Sequence, residues 1–190
     1  MTDTTSRAFF EQKYRASEDP WNFGSSSYEL SRYDAIIKAI GDKRYKHAFE
    51  PGCSVGVLTK QLAGRCDRVD AIDISPTAVD KAIRHCSEYA NAYITCDSLV
   101  HRNDRVAYDL LIFSEIGYYF EEHTLRAVLR RLISQLTPSA LLVGCHWLGT
   151  SPDHILSGRK VHEIIAESSE LIHLHAEIHP GFRLDSWSRR

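Results

Sequence analysis

Between residues 47 and 147, short apolar runs alternate with stretches in which apolar residues recur every three or four positions. That alternation constrains the fold more than any other feature of the chain. Parallel strands need a long crossover, for which an amphipathic helix serves, so the pattern predicts a mainly parallel α/β sheet covered by helices on both faces. The first unit is a strand at 47–51 followed by a helix carrying Val55, Leu58 and Leu62. The second is a strand at 68–73, then Ser75 as N-cap and Pro76 at the first helical position, with Val79, Ala82, Ile83 and Cys86 as the buried face. Strands follow at 92–96 and 108–113. A helix comes next, its stripe running through Leu125, Val128, Leu129, Leu132, Ile133 and Leu136 until Pro138 stops it. After a strand at 139–147 and a helix near 158–168, two β-like runs at 171–178 and 181–188 are separated only by Pro180 and its neighbours. So short a connection makes them an antiparallel hairpin.

A chain of 190 residues with 43% hydrophobic and 25% charged residues is expected to be one ordinary globular domain. Apolar stretches such as Ala140 to Cys145 fall far short of the roughly 20 residues a membrane helix needs. The polar, mixed-charge N-terminus lacks the pattern of a secretion signal, which predicts a cytoplasmic protein. Net charge is −2 and the cations are scattered, so neither nucleic acid nor a membrane surface is the expected partner. Cys53, Cys66, Cys86, Cys96 and Cys145 form no C-x-x-C pair and read as small buried residues, with no metal site among them.

Ligands of open α/β sheets bind at the carboxyl ends of strands, so the turns after strands carry the chemistry. The first turn reads Glu50-Pro51-Gly52-Cys53-Ser54-Val55-Gly56. Small residues there let a ligand approach the backbone. No phosphate-cradling loop and no full G-x-G-x-x-G is present. Glu50 would repel a pyrophosphate but accept hydrogen bonds from a cationic amino-acid moiety. Asp73, about 20 residues beyond the turn, is placed to chelate two ribose hydroxyls. Asp97 and Ser98 end the third strand, where Asp97 can accept from an adenine amino group while Ile74 and Leu99 sandwich the ring. Each carboxylate alone could equally be a turn or cap residue. Three on successive strand ends point to an adenosyl ligand without a pyrophosphate.

The segments FEPGCSVGVLTKQLA (49–63), AIDISPTAVDKA (71–82) and FSEIGYYF (113–120) resemble the class I methyltransferases, and within them the nodulation protein S family. DPWNFGSSSYELSRYDAI (19–36) extends the resemblance, which covers roughly residues 9–147. It implies a Rossmann-like, seven-stranded sheet with S-adenosylmethionine over the first strand ends, S-adenosylhomocysteine as product, and residues 1–45 as a helical lid on an α/β core of 46–190. It further implies that Trp21 and Tyr28 line the site and that Arg32 pairs with the methionyl carboxylate. The family N-methylates an amino-sugar intermediate of a chitooligosaccharide signal. Cys53 and Ser54 depart from the glycine-richer loop of the class.

On the acceptor side, candidates follow the fourth strand at Ser114, Glu115, Tyr118 and Tyr119, and end the fifth at His146 and Trp147. Glu115 could orient or deprotonate an ammonium, and the tyrosines could offer hydroxyls and cation–π surface. His146 is the other possible base, although a hydrogen-bonded structural histidine is the commoner case. His173 and His175 would share one strand face by their spacing, yet too few ligands accompany them for a metal. The expectation is a small-molecule acceptor, an amino sugar among the candidates, handled by a monomer or homodimer. Oxygen methylation and a non-catalytic adenosyl-binding protein are the alternatives.

Overall fold

The computed structural model describes residues 6–17, 19–22, 26–103 and 105–190. Two helices, α1 (Arg7–Ala16) and α2 (Ser27–Ile40), precede the alternating part. There β1 (Ala48–Pro51), α3 (Val57–Ala63), β2 (Val69–Asp73), α4 (Pro76–His85) and β3 (Ala92–Cys96) follow one another. Beyond them come β4 (Tyr108–Ser114), a 3-10 turn (Gly117–Tyr119), α5 (Glu122–Ser134), β5 (Leu136–Trp147), α6 (Gly158–Ala166), β6 (Leu171–His179) and β7 (Phe182–Arg189). The seven strands form one sheet in the order β3-β2-β1-β4-β5-β7-β6. β1 to β5 pair in parallel, whereas β7 runs antiparallel to both β5 and β6. The last strand in sequence thus inserts beside β5 and leaves β6 on the edge.

Successive side chains of a strand point to opposite faces, and the core divides accordingly. Leu111 and Phe113 of β4 pack with Leu125, Val128, Leu129 and Leu132 of α5 and with Val161 and Ile165 of α6. Leu110 and Ile112 pack on the other face with Tyr33, Ile36 and Ile40 of α2 and with Leu58 and Leu62 of α3. The second helix therefore covers the sheet as an integral layer. On α4, Ser75 accepts from the Ala78 amide as N-cap and Pro76 opens the helix, as expected from their residue types.

Several expectations are corrected. Val55 precedes its helix rather than belonging to it. Ile83 is 48% exposed, since the buried stripe of α4 runs through Ala78, Val79, Ala82 and Cys86. Leu136 and Pro138 belong to β5, and α5 has already ended at Ser134. Between the pairs Tyr108↔Leu136 and Leu110↔Leu141 the register slips, with Ser139 at φ 63°. Pro138 is tolerated in that bulge because its missing N–H is not needed by the ladder. Cys96 is exposed, unlike the other four cysteines. A second register shift falls between His173 and His175, which oppose the consecutive residues Trp187 and Ser186. The bulge puts the two histidines on opposite faces, and they bond to different acids, Asp185 and Glu177.

Candidate functional site

From β1 the chain moves outward to β2 and β3, then returns to β4 on the opposite flank of β1. β1 and β4 therefore diverge at their carboxyl ends, where a ligand crevice opens in such sheets. The cleft there is lined by Arg32, Glu50, Gly52, Cys53, Ser54, Ser114 and Glu115, together with Tyr33, Pro51 and Leu58. Most of the candidate residues on the first and fourth turns thus meet in one place. A larger depression bordered by Asn103, Arg105, Arg131 and Thr137 lies at the other end of the sheet, before β4 begins, and holds none of them.

The turn after β1 is bent by three left-handed residues, Gly52 (φ 77°), Ser54 (φ 52°) and Gly56 (φ 83°). The Gly52 and Cys53 amides both donate to the Ile72 carbonyl, at 2.7 and 2.9 Å, which ties the turn to β2. Gly56 is needed for space as well as conformation, because a Cβ there would lie 3.0 Å from Ala82 Cα. Asp73 braces the turn from β2: its Oδ2 accepts from the Ser54 amide at 3.0 Å and its Oδ1 from the Ser75 amide at 2.9 Å. Burial pushes its carboxyl up to about 6 against those hydrogen bonds. Glu50 is buried and accepts from the Thr59 hydroxyl at 2.6 Å. Burial pushes Glu50 up to about 8, with the Thr59 hydrogen bond and Arg32 opposing the shift.

Arg32 reaches the cleft from α2. Its Nε donates to Glu29 Oε2 at 3.0 Å, Nη2 bonds to the same oxygen, and Nη1 donates to the Ser114 hydroxyl at 2.7 Å. Across from the β1 turn, Glu115 stands in a left-handed conformation, φ 55°. Its Oε1 accepts from the Trp147 amide at 2.6 Å and its Oε2 from the Tyr118 hydroxyl at 2.7 Å. A non-glycine residue held this way at a strand end is a strained backbone of the kind that aims a side chain at a site. Tyr118 is buried, and the His154 ring stacks on it at 3.7 Å and 17°. Tyr119 and Trp147 meet the same imidazole edge-on, at 5.3 and 5.8 Å.

Other candidates stand apart from the cleft. Asp97 is tied to β2 by its amide on the Asp73 carbonyl at 3.1 Å, and its own Oδ1 accepts from the Ser98 amide at 2.7 Å. Ile74 is half-buried at the end of β2, and Leu99 sits in the α5-side core. Trp21 packs edge-on against Tyr14 at 5.3 Å. Tyr28 packs on Phe182 and donates to the Gly181 carbonyl at 3.3 Å. His146 is fully buried and both ring nitrogens are engaged, by the Gly117 amide and by His162. No ring nitrogen of His146 is left to face a ligand, which corrects its candidacy as a base.

A profile of the family "Nodulation protein S (NodS)" matches residues 3–176. The chain belongs to the NodS family. The match runs beyond the 9–147 stretch in which the resemblance is visible by eye. Among relatives, the Nodulation protein S of Bradyrhizobium diazoefficiens is 27% identical over 158 residues, covering 82% of this chain and 73% of that protein. A putative methyltransferase from Pseudomonas syringae is 30% identical, with a TM-score of 0.71 over 86% of this chain and all of that one (100%). The fold also matches the crystal structure of N-methyltransferase NodS from Bradyrhizobium japonicum WM9 in complex with S-adenosylhomocysteine. There the TM-score is 0.88 at 20% identity, over 98% of this chain and 99% of that one. As a NodS-family chain with this Rossmann-like fold, the protein is an S-adenosylmethionine-dependent methyltransferase.

Sequence reasoning about this NodS-family chain missed three residues beside the site. Glu11 of α1 accepts from the hydroxyls of Ser75 and Thr77 at 2.6 and 2.7 Å, at the start of α4. Tyr14, three positions on, donates to the Ser54 hydroxyl at 2.7 Å. The i, i+4 spacing of Phe10 and Tyr14 marks an amphipathic helix, but nothing local says which turn it covers. His154 lies in the segment between β5 and α6, and its contacts with Tyr118, Tyr119 and Trp147 bring it to the site.

Proposed function

We propose that this methyltransferase acts on the amine nitrogen of a small polar acceptor, an amino sugar or related metabolite, and that within residues 1–45 it is α1 that serves as a lid over a single α/β domain, α2 being packed into its core. The observation that carries the reading is Glu115, a strained carboxylate clamped by Tyr118 and Trp147 opposite the Glu50–Gly56 turn. A carboxylate beside aromatic rings suits a cationic amine. A hydroxyl acceptor needs a base in the transition state, and His146 has no free nitrogen to serve as one.

S-adenosylmethionine supplies an electrophilic methyl on a sulfonium, which leaves as a neutral thioether when a nitrogen lone pair attacks in line. The residues present fit it. Glu50, raised toward neutrality by burial, is suited to meet an ammonium, and the buried guanidinium of Arg32 a carboxylate. Each Asp73 oxygen retains an acceptor site beyond its backbone donor for ribose hydroxyls. Asp97, Ser98, Ile74 and Leu99 are assigned to the adenine. On the acceptor side, Glu115 orients the incoming ammonium and takes up the proton it must lose before attack, with Tyr118, Tyr119 and Trp147 beside it, while Trp21 and Tyr28, which do not line the cleft, are assigned to the outer rim of the acceptor path.

The test is calorimetry with S-adenosylmethionine, S-adenosylhomocysteine and NAD, followed by mass spectrometry of methyl transfer to chitooligosaccharides bearing a free amine and to their N-acetylated counterparts. Gain of a methyl group by the amine alone is expected. Transfer to the N-acetylated compounds as well would point to oxygen, and binding without transfer to any acceptor would point to a non-catalytic role.

A further inference from the structure

The 3-10 turn Gly117–Tyr119 places the Tyr118 hydroxyl on Glu115, and a buried network lies directly behind it. The Gly117 amide is 3.3 Å from His146 Nε2, and His146 Nδ1 is 3.2 Å from His162 Nε2. His162 Nδ1 in turn bonds to Oδ2 of Asp185. These three side chains come from β5, α6 and β7, and each is at most 1% exposed. Asp185 is further held by Arg183 Nε at 2.6 Å and by His173 Nε2 at 3.3 Å.

One proton arrangement satisfies the whole series. A backbone amide only donates, so His146 Nε2 accepts and the His146 proton resides on Nδ1. That proton is donated to His162 Nε2, which leaves the His162 proton on Nδ1, facing the Asp185 carboxylate. Both rings are neutral in this scheme, in keeping with burial holding each imidazole below its usual range. The same helix also seats the turn by packing: a Cβ on Gly117 would come within 2.5 Å of Val161 Cγ1.

We infer that His146, His162 and Asp185 are positioning residues that fix the Gly117–Tyr119 turn, and through it the Tyr118 hydroxyl on Glu115. The network cannot deliver a proton to the acceptor, because its inner end is a backbone N–H. Its effect on turnover rests on the acceptor-side role proposed for Glu115 and Tyr118; its protonation pattern does not.

The full chain labelled with 15N-histidine tests the pattern by long-range proton–nitrogen correlation. Both His146 and His162 should be neutral with the proton on Nδ1; an Nε2–H or doubly protonated ring at either position overturns the assignment. Two variants test the positioning. Glutamine at 162 can both accept and donate, whereas leucine can do neither. His162→Leu should therefore speed hydrogen exchange of the Gly117 amide about tenfold and lower kcat with an amine acceptor by a similar factor. Its Kd for S-adenosylmethionine should not change, and His162→Gln should keep most of both properties. Equal behaviour of the two variants overturns the proposal. If His162→Leu does not fold, His162→Gln and the tautomers of the unaltered protein decide it. If the unaltered protein methylates no amine, the acceptor reading fails while the tautomer and exchange measurements still judge the network.

Discussion

The Tyr118 hydroxyl donates to Oε2 of Glu115 across 2.7 Å, joining a residue of the 3-10 turn to a left-handed residue at the end of β4. Glu115 has a second donor in the Trp147 amide at 2.6 Å, so its carboxylate is fixed from two directions. A hydrogen bond to a charged group contributes about 1.5–3 kcal/mol. Tyr118→Phe is expected to lower turnover by roughly tenfold or more on that basis, with affinity for S-adenosylmethionine unchanged. Glu115→Gln should act in the same direction and more strongly. Single-turnover rates with an amine acceptor, beside calorimetry, check this; full activity in both variants would remove the pair from the acceptor side.

Glu50 makes the ligand-free protein sensitive to pH. Its folded value of about 8 lies above the ordinary 4.5, so its contribution to stability is complete below 4.5 and is lost as pH rises through 8. Asp73, raised to about 6, adds a loss in the same direction over a narrower window. The Tm should accordingly fall between pH 5 and pH 8, and Glu50→Gln should flatten that fall. Meeting an ammonium favours the carboxylate form, so S-adenosylmethionine binding near pH 7 should release a proton. Calorimetry in buffers of different ionisation enthalpy reads that proton, and Glu50→Gln should abolish it.

Asp73→Ala should weaken S-adenosylmethionine binding by more than about tenfold, since the Ser54 amide of the β1 turn and the Ser75 amide at the start of α4 lose their acceptor together with any ribose contact. Unchanged affinity in calorimetry would take Asp73 out of the site.

The first helix, which reaches the β1 turn through Tyr14, is held against α4 by polar contacts from its middle and from its C-terminal end. Glu11 accepts from Ser75 and Thr77, while the Lys81 ammonium donates to the Tyr14 and Ser17 carbonyls, both at 2.8 Å. Glu11→Ala should speed hydrogen exchange across Arg7–Ala16 while leaving the amides of α5 protected, read by mass spectrometry of peptides. Unchanged exchange would mean that the apolar contacts of Phe10 and Tyr14 suffice.

Much of this was legible in the chain before any folding. Ser75 and Pro76 announce the start of α4, and the residue types at Glu50, Asp73 and Asp97 mark three successive strand ends. Where reading failed, a distant contact had overridden a local pattern. Leu136 continues the spacing of α5 but pairs with Tyr108 as the beginning of β5, and His173 and His175 lose their shared face to a bulge. His146 ends a strand beside Trp147, a position that says nothing of what lies behind it.

The succession of strands and helices and the acidic residues on the turns between them are written in local patterns, because periodicity and cap chemistry act between near neighbours in the chain. Folding in three dimensions is what inserts β7 between β5 and β6 and so carries Asp185 under His162. The same packing clamps Glu115 by Trp147 from another strand and seals His146 behind the tyrosine turn rather than facing the cleft. Those contacts join residues 16 to 32 positions apart, and no short-range pattern encodes which of the possible pairings will close.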